Sequence, residues 1–259
     1  MGFKHITSRD NSIFKQLKKL ADNARERRKE GKTLLDGVHL IDAFLQRFGE
    51  PELLVIPEGK SSPEATDLIQ KLADVPTLML PTLMFAELSP VTTSTGVLAM
   101  VNIPQLLLPE SPRFVVMFED IQDPGNLGSM LRTAAAGGVE AAYLSEACTD
   151  AWSPKALRGG QGAQFVLPVV ERTDLLKVMR EFEGNTYATA MDGISLFEQD
   201  FTVATAFIVG NEGAGLKPET RSAATRTIRI PMVSDSVESL NAAAALTVCV
   251  FERLRQSLN

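Results

Sequence analysis

The segment AFIVGNEGAGLKPE, residues 206–219, carries the strongest local signal in the sequence. Four apolar residues lead into a loop with three glycines, and one acid, Glu212, stands among them. An apolar run that ends in a glycine-rich loop is typical of a buried parallel strand followed by a ligand-binding turn. The glycine order is G-x-x-G-x-G, whereas dinucleotide folds use G-x-G-x-x-G. The segment therefore predicts a ligand loop of another kind at the end of a strand.

The composition is that of a soluble globular protein. The chain has 259 residues, 44% hydrophobic and 22% charged, which is enough for two domains. No apolar run approaches the roughly 20 residues that cross a bilayer, and MGFKHITSRDNS lacks the apolar core of a signal peptide. Cys148 and Cys249 lie far apart, without a C-x-x-C pair. We expect a cytoplasmic, reduced protein with no membrane segment.

The histidines restrict the chemistry of the later part of the chain. The sequence has two, His5 and His39, both within the first forty residues. A Ser-His-Asp triad or a histidine-rich zinc site confined to the C-terminal part is therefore excluded. We expect no metal there, and a reaction that uses Arg, Lys, Asp, Glu, Ser or backbone groups.

The charge is unevenly distributed. Residues 1–32 contain ten Lys or Arg and four Asp or Glu, so this segment is +6 while the whole chain is −6. A basic segment on an acidic body indicates a polyanionic partner. A solvated helix face would give the same composition, and both interpretations stay open.

Strand-like and helix-like segments alternate, which predicts two α/β units. Residues 1–104 form the first unit. The segment NIPQLLLPESPR has three prolines and predicts an interdomain linker over 105–112. Residues 113–259 form the second unit, in which we expect a mainly parallel sheet covered on both faces, with ligands at the carboxyl ends of its strands.

The first unit is predicted to begin with a helix over 11–30 that Gly31 ends. Its strands are predicted at 33–37, 52–58, 77–81 and 96–104, and its other helices at 38–49, 63–73 and 82–88. The second unit is predicted to have strands at 114–120, 141–146, 165–170, 186–192, 206–210 and 227–232, and helices at 126–136, 153–160, 174–184, 217–224 and 238–258.

Two further loops of the second unit place small residues and amides where strands end. The segment IQDPGNLGSMLRTAAAGG follows the first strand and contains Asn126 and Arg132. The segment VSDSVESLNAAAALTVCVFE follows the last strand and contains Ser239 and Asn241. Each has a purely structural interpretation: Arg132 could extend to solvent, Glu212 could cap a helix or pair with a lysine, and 238–241 could be a helix start.

The three loops together resemble the motifs of the SpoU (TrmH-type) RNA ribose 2′-O-methyltransferases. The matching patterns are N-x-G-x(3)-R-T-A, then G-N-E-G-x-G-L, then I-P-M followed by E-S-L-N-x(2)-A-A. Residues 8–41 also resemble the substrate-binding domain, with a ribosomal-protein-like α/β fold, that many members carry. The resemblance implies a C-terminal α/β trefoil-knot (SPOUT) catalytic domain, S-adenosyl-L-methionine as cofactor, an RNA substrate and a homodimer.

The resemblance also implies residue roles. Arg132 would be the catalytic group, either deprotonated to act as a base or kept cationic to clamp phosphate and alkoxide. Asn126, Glu212, Ser239 and Asn241 would support it. The cofactor-binding residues would be Gly210, Asn211, Ile230, Met232 and Leu240.

The sequence departs from the family pattern at a few positions. Asp235 brings an acid into the third motif, Ala243 stands where relatives often have serine, and RGGQGAQF, residues 158–165, lacks a serine common in relatives. We expect methylation of ribosomal RNA rather than transfer RNA. The alternatives are an RNA-binding module that has lost turnover and an unrelated nucleotide-dependent α/β enzyme.

Overall fold

The computed structural model describes residues 3–59, 61–89, 94–233 and 239–258. Contacts between Cα atoms divide the chain into two compact units. The first contains Met1–Gln105 together with Trp152–Phe165, and the second contains Leu106–Ala151 and Val166–Asn259. Within the described ranges, no helix has the length and apolar character needed to cross a membrane.

The first unit is built on a five-stranded sheet in the order β1-β4-β3-β5-β2. Strand β5 runs antiparallel to both of its neighbours, and the other pairings are parallel. The strands are β1 Lys4–His5, β2 Lys32–Asp36, β3 Leu53–Pro57, β4 Thr77–Leu80 and β5 Leu98–Asn102; the helices are α1 Ser12–Asp22, α2 Ala24–Glu30, α3 Val38–Phe48, α4 Pro63–Lys71 and α5 Thr82–Ala86. The predicted strands and later helices of this unit are confirmed, and the short β1 was not predicted.

The single helix predicted over 11–30 is wrong, because Asn23 divides it. Asn23 has extended backbone angles that end α1, and its side chain accepts hydrogen bonds from the first turn of α2. Asparagine favours such a capping position because its short amide competes with helix continuation. Arg27 is buried and donates to the carbonyls of Leu20 and Ala21, so it satisfies the end of α1.

The second unit has a six-stranded sheet in the order β11-β9-β10-β6-β7-β8, in which every described pairing is parallel. The remaining elements, in chain order, are β6 Phe114–Phe118, α6 Pro124–Ala136, β7 Ala141–Leu144, α7 Pro154–Gly160, β8 Val169–Val170, α8 Leu175–Glu181, β9 Asn185–Ser195, β10 Thr205–Val209, α9 Pro218–Ala223, β11 Arg226–Arg229 and α10 Ala242–Ser257. The predicted parallel sheet is confirmed. The central strands β6 and β10 are fully buried, which explains their continuous apolar sequences.

Some boundaries differ from the prediction for identifiable reasons. Helix α6 begins at Pro124 because the Asp123 side chain caps it by accepting from the backbone of Asn126. Helix α10 begins at Ala242 rather than at 238. The trefoil knot stays a prediction, since the path through the third motif includes residues 234–238, which lie outside the described ranges.

The segment Trp152–Phe165, which lies between β7 and β8 in the chain, belongs to the first unit. The Thr33 hydroxyl, buried in β2, donates to the Trp152 carbonyl at 2.7 Å. The Phe165 ring packs edge-on against the rings of Phe44 and Phe48. The strand predicted over 165–170 is therefore only Val169–Val170, because its first residue ends a 3-10 turn that faces another core. The assignment of all of 113–259 to one domain differs from this division.

Helices α6 and α10 pack closely against each other. The position of a Cβ on Gly137, at the end of α6, lies 2.0 Å from Val250 Cγ1. The hydroxyls of Thr133 and Thr247 are 3.3 Å apart along the same contact. The glycine lets α10 lie against α6, and this contact holds the first and third motifs near each other.

Replacement of Gly137 with alanine is expected to destabilise the fold by about 1–3 kcal/mol, because the new methyl group overlaps Val250 in a packed contact. Urea unfolding of the two single variants and of the double variant G137A/V250A measures this effect. The double variant should lose less free energy than the two single changes predict, since V250A removes the overlapping methyl. Additive losses would contradict the close packing.

Candidate active site

The three motif loops leave the sheet at one edge. They follow β6, β10 and β11, and all three strands are parallel members of the same sheet. Carboxyl ends of parallel strands share an edge, which is where open α/β sheets bind ligands. The predicted convergence of the three segments is therefore built into the strand order.

The glycine loop needs its glycines for close backbone contact. A Cβ on Gly210 would lie 2.3 Å from the carbonyl carbon of Gly215, so no side chain fits there. Asn211 and Gly215 exchange two backbone hydrogen bonds, of 3.1 and 2.9 Å, which close the loop on itself. The Asn211 side chain accepts from the amides of Gly213 and Ala214, both at 2.9 Å. The G-x-x-G-x-G order thus encodes a closed turn braced by asparagine.

Asp120 fastens this loop to the first motif. Its backbone lies in the left-handed region with φ of 56°, and its carbonyl accepts from Asn211 Nδ2 at 2.9 Å. Its carboxylate contacts Lys217 Nζ at 2.8 Å and accepts from Ser145 Oγ at 2.7 Å. Burial alone would raise the pKa of Asp120, but the bonds from Lys217 and Ser145 outweigh it and lower the pKa. The neighbouring Glu119 is buried and accepts from the Lys217 backbone at 2.7 Å.

Glu212 connects the second motif to the first. Its carboxylate accepts from the backbone amides of Gln122 and Asp123, at 3.3 and 3.4 Å, and from Asn126 Nδ2 at 3.2 Å. Partial burial alone would raise the pKa of Glu212. Hydrogen bonds from its own amide, from Asn126 and from the two loop amides hold the pKa below the usual range. The acid therefore binds the start of α6 rather than capping the helix that follows it.

Asn126 also contacts the third motif. Asn241 Nδ2 donates to Asn126 Oδ1 at 3.3 Å, while Asn241 Oδ1 accepts from the first amides of α10 and caps that helix. Three predicted site residues, Asn126, Glu212 and Asn241, are therefore joined in one chain of hydrogen bonds. Their catalytic roles stay predictions.

A cavity of about 460 Å³ lies beside the glycine loop. Thr189, Ala190 and Met191 of β9 form one wall, and the first turns of α10 form another. Cys249 lines the cavity from α10, and burial raises the pKa of its thiol to about 12, so it stays protonated. The lining includes seven predicted site residues: Gly210, Asn211, Glu212, Ile230, Met232, Ser239 and Leu240.

Arg132 lies elsewhere. Neither Arg132 nor Asn126 nor Asn241 is among the residues that line the cavity. The Arg132 side chain is on the exposed face of α6, six residues after Asn126, and makes no hydrogen bond or ion pair with any described residue. Within one chain, the structure thus separates Arg132 from the cavity.

Two residues of the third motif, Asp235 and Ala243, depart from the family pattern. Asp235 lies outside the described residues. Ala243 is 8% exposed and belongs to the buried side of α10, whereas Ala242 and Ala245 line the cavity. The missing serine therefore does not remove a group from the described cavity wall.

The sequence analysis missed three charged residues of the site. Asp120 and Lys217 hold the two loops together, and Arg229 lines the cavity beside Ile230. Arg229 directly precedes I-P-M, and Asp120 directly follows the first buried strand. A search for charges next to each motif would have found Arg229 and Asp120, but not the residues that they contact.

The basic N-terminal segment is partly neutralised within its own unit. Arg27 is buried, and five other cations form ion pairs: Arg9 with Glu87, Lys15 with Asp10, Lys18 with Asp22, Lys29 with Glu26 and Lys32 with Glu52. Lys4, Lys19, Arg25 and Arg28 are exposed and form no ion pair with described residues. Most cations of the segment are thus used within the fold, and the polyanionic partner stays a prediction.

Comparison with known proteins identifies the catalytic half. The model of the SpoU rRNA Methylase family matches residues 113–251. The chain belongs to this family. A second family model, the MRM3-like substrate binding domain, matches residues 11–99. The predicted family, the two-part α/β architecture and the class of RNA 2′-O-ribose methyltransferase are confirmed.

Relatives match along nearly the whole chain. A 23S rRNA (guanosine(2553)-2′-O)-methyltransferase from Bacillus subtilis is 33% identical over 253 residues, which are 96% of this chain and 98% of the relative. A 23S rRNA (uridine(2479)-2′-O)-methyltransferase from Streptomyces viridochromogenes is 31% identical over 271 residues, 99% of this chain and 93% of the relative.

A solved structure agrees with this assignment. The SpoU methyltransferase AviRb from Streptomyces viridochromogenes, in complex with the cofactor AdoMet, has a TM-score of 0.84 and 28% identity. The alignment covers 96% of this chain and 99% of that one. The predicted cofactor, S-adenosyl-L-methionine, is confirmed as the cofactor of a similar structure.

The donor set of the cavity fits such a cofactor. Backbone groups of the glycine loop meet apolar side chains of Ile230, Met232 and Leu240, which suits a flat heterocycle with polar edges. Among the described residues, no group of three His, Cys, Asp or Glu side chains could hold a metal ion.

The change Glu212→Gln should destabilise the protein by about 1 kcal/mol or less at pH 7, because the carboxylate that three donors share becomes neutral. The folded-state pKa is lowered, so this stabilisation is present above the unfolded pKa and is lost as pH falls through the folded pKa. The difference in melting temperature between the wild type and E212Q should shrink as the pH is lowered from 7 to 3. The control E183Q, at an exposed residue before β9, should have the melting temperature of the wild type throughout this range.

Proposed function

We propose that the protein methylates a ribose 2′-hydroxyl in ribosomal RNA, using S-adenosyl-L-methionine. The observation that carries this proposal is the hydrogen-bonded meeting of Asn126, Glu212 and Asn241 beside the cavity. Relatives that match along nearly the whole chain are named 23S rRNA 2′-O-methyltransferases, which favours ribosomal over transfer RNA. A cytoplasmic location fits this substrate and the two free cysteines.

The cavity residues have distinct roles in this proposal. When bound, S-adenosyl-L-methionine supplies an electrophilic methyl group, a chemistry that requires no Lewis acid. Gly210, Ile230, Met232 and Leu240 hold the adenine, and the Asn211 brace keeps the glycine loop closed. Because the loop is tied to α6 through Glu212, little reorganisation is needed when ligands bind.

Arg132 acts on the RNA in this proposal. A guanidinium can bind a phosphate through two parallel hydrogen bonds and stabilise negative charge that develops on the ribose oxygen. Since Arg132 lies outside the cavity of its own chain, we assign it to the cavity of a second copy. The partner's Arg132 would then complete each site.

A homodimer is supported by the exposed face of α6 and α10. Leu246 and Val250 of α10 are buried core residues, so they do not belong to this face. The exposed face is instead formed by Arg132 together with small residues and two large apolar ones, at helical spacing. These residues, here called the helix face, are Ser129, Arg132 and Ala136 of α6, Ala244, Thr247 and Phe251 of α10, and Leu258, which directly follows α10. Phe251 and Leu258 are 43% and 78% exposed, so this face carries two large apolar side chains that a partner could cover.

The N-terminal unit would hold the RNA. Lys4, Lys19, Arg25 and Arg28 remain available for phosphates, since the other cations of the segment are used within the fold. Phosphate contacts position an RNA without reading its sequence.

The function is tested by incubating purified protein with ribosomal RNA, transfer RNA and labelled S-adenosyl-L-methionine, and then mapping ribose methylation. Label on one ribosomal RNA site, and none on transfer RNA, supports the proposal. Cofactor binding without transfer to any RNA would favour a module that has lost turnover.

The change Arg132→Ala should lower the transfer rate by at least ~100-fold, because charge on the reacting oxygen loses its stabiliser. Cofactor affinity, measured by calorimetry, should stay within about twofold, since the proposal assigns Arg132 to the RNA and not to the cofactor. Transfer at the wild-type rate would contradict this role.

A mixed dimer locates the arginine. Ala245→Phe fills the cavity and should prevent cofactor binding. Coexpression of A245F and R132A chains with different tags, followed by purification of the mixed dimer, should restore one working site if Arg132 acts across the dimer. If it acts within its own chain, both sites stay inactive.

The change Phe251→Glu should convert dimers to monomers, because a charge replaces an exposed apolar side chain of the helix face. Light scattering should report the monomer mass of 28.1 kDa instead of twice that value. L107E, at an apolar residue that is 93% exposed outside the helix face, is the matched control and should remain dimeric. A monomeric wild type would refute the dimer.

A further inference from the structure

Arg229 is the last residue of β11 and lines the cavity. Its Nε donates to the Gly193 carbonyl at 3.0 Å, while the rest of its guanidinium makes no hydrogen bond or ion pair with any described residue. One edge of the guanidinium is therefore fixed by the backbone, and the other edge meets no acceptor among the residues that the structure describes.

An irregularity in the sheet places Arg229 there. Thr227 pairs with Ala188, but the next residue, Ile228, pairs with Ile194, so five residues of β9 leave the ladder. A Cβ on Gly193 would lie 2.7 Å from the Thr227 carbonyl oxygen, so only glycine fits where the strand returns. Bulges of this kind redirect side chains next to sites. Here the same excursion builds one cavity wall and supplies the carbonyl that orients Arg229.

The charges of the cavity are few. Among its described lining residues, Arg229 is the cation and Glu212 is the anion. Glu212 already accepts hydrogen bonds from Gln122, Asp123 and Asn126. Among these described lining residues, the charged donors therefore belong to Arg229, whose side chain is exposed, and they suit an anionic group.

The proposed cofactor contains one anionic group, the carboxylate of its methionine tail, beside two cationic groups. A carboxylate that leaves water needs charged or hydrogen-bonding partners, and the arginine fork matches it through two parallel bonds. Resting on the proposed function, we infer that Arg229 binds the methionine carboxylate of S-adenosyl-L-methionine. An RNA phosphate is the competing anion, but Arg229 lines the cavity proposed to hold the cofactor, and the proposed function assigns the phosphate to the partner's Arg132.

The inference is tested by calorimetry with truncated ligands. S-adenosyl-L-methionine, its decarboxylated form and 5′-methylthioadenosine are titrated into wild type and into Arg229→Met, which keeps an apolar stem without the charge. We expect R229M to bind S-adenosyl-L-methionine about 10- to 100-fold more weakly. Its affinities for the two ligands without a carboxylate should change by less than about twofold. R229K should recover part of the loss.

Arg226→Met is the matched control, because Arg226 lies on the same strand, is exposed and does not line the cavity. Equal losses for all three ligands in R229M would overturn the inference and indicate a structural role. Unchanged affinity for S-adenosyl-L-methionine with a raised KM for RNA would overturn it in favour of phosphate. Failure of the wild type to bind S-adenosyl-L-methionine would refute the proposed function itself. If the wild type methylates ribosomal RNA but R229M loses equal affinity for all three ligands, only this inference is refuted.

Discussion

The geometry of the site depends on the carboxylate of Glu212, which connects the glycine loop to the loop before α6. Glu212 sits in the glycine loop, yet its oxygens accept from the start of α6, and Asn126 continues the connection to the cap of α10. A weak individual hydrogen bond matters here because three segments distant in sequence must share one geometry. The same hydrogen bonds lower the pKa of Glu212, so the bridge stays charged at a more acidic pH than an ordinary glutamate would. Cavity shape, helix position and loop closure are thus coupled through a few polar atoms.

Backbone contact supplies what side chains do not. Gly210 touches the backbone of Gly215, and Gly137 receives Val250, so two of the closest approaches in the second unit occur where a Cβ is absent. Close approach lets the loop form a wall of amides and carbonyls, which suits a heterocycle without any metal or histidine. In the proposed function, the chemistry left for side chains is electrostatic, and we assign it to Arg132 and Arg229.

Much of this arrangement is predictable from sequence, for physical reasons. Buried parallel strands give continuous apolar runs, so β6 and β10 are readily found, and their following loops must share an edge. The division of α1 from α2 is not predictable in this way, because the apolar spacing continues past Asn23 while the Asn23 side chain caps a new helix. Arg229 was missed since its position depends on a register shift between β9 and β11. Such a shift is a tertiary property that no local pattern encodes.

The membership of Trp152–Phe165 in the first unit constrains how the protein is made and how it can be divided. A fragment that stops at residue 105 would leave the Thr33 hydroxyl and the Phe44 ring without the partners they have in the full chain. During synthesis, the amino-terminal unit stays incomplete until Phe165 has left the ribosome. Exchange of this unit between relatives by recombination at the linker would leave behind its final piece, so inheritance as a whole chain is favoured.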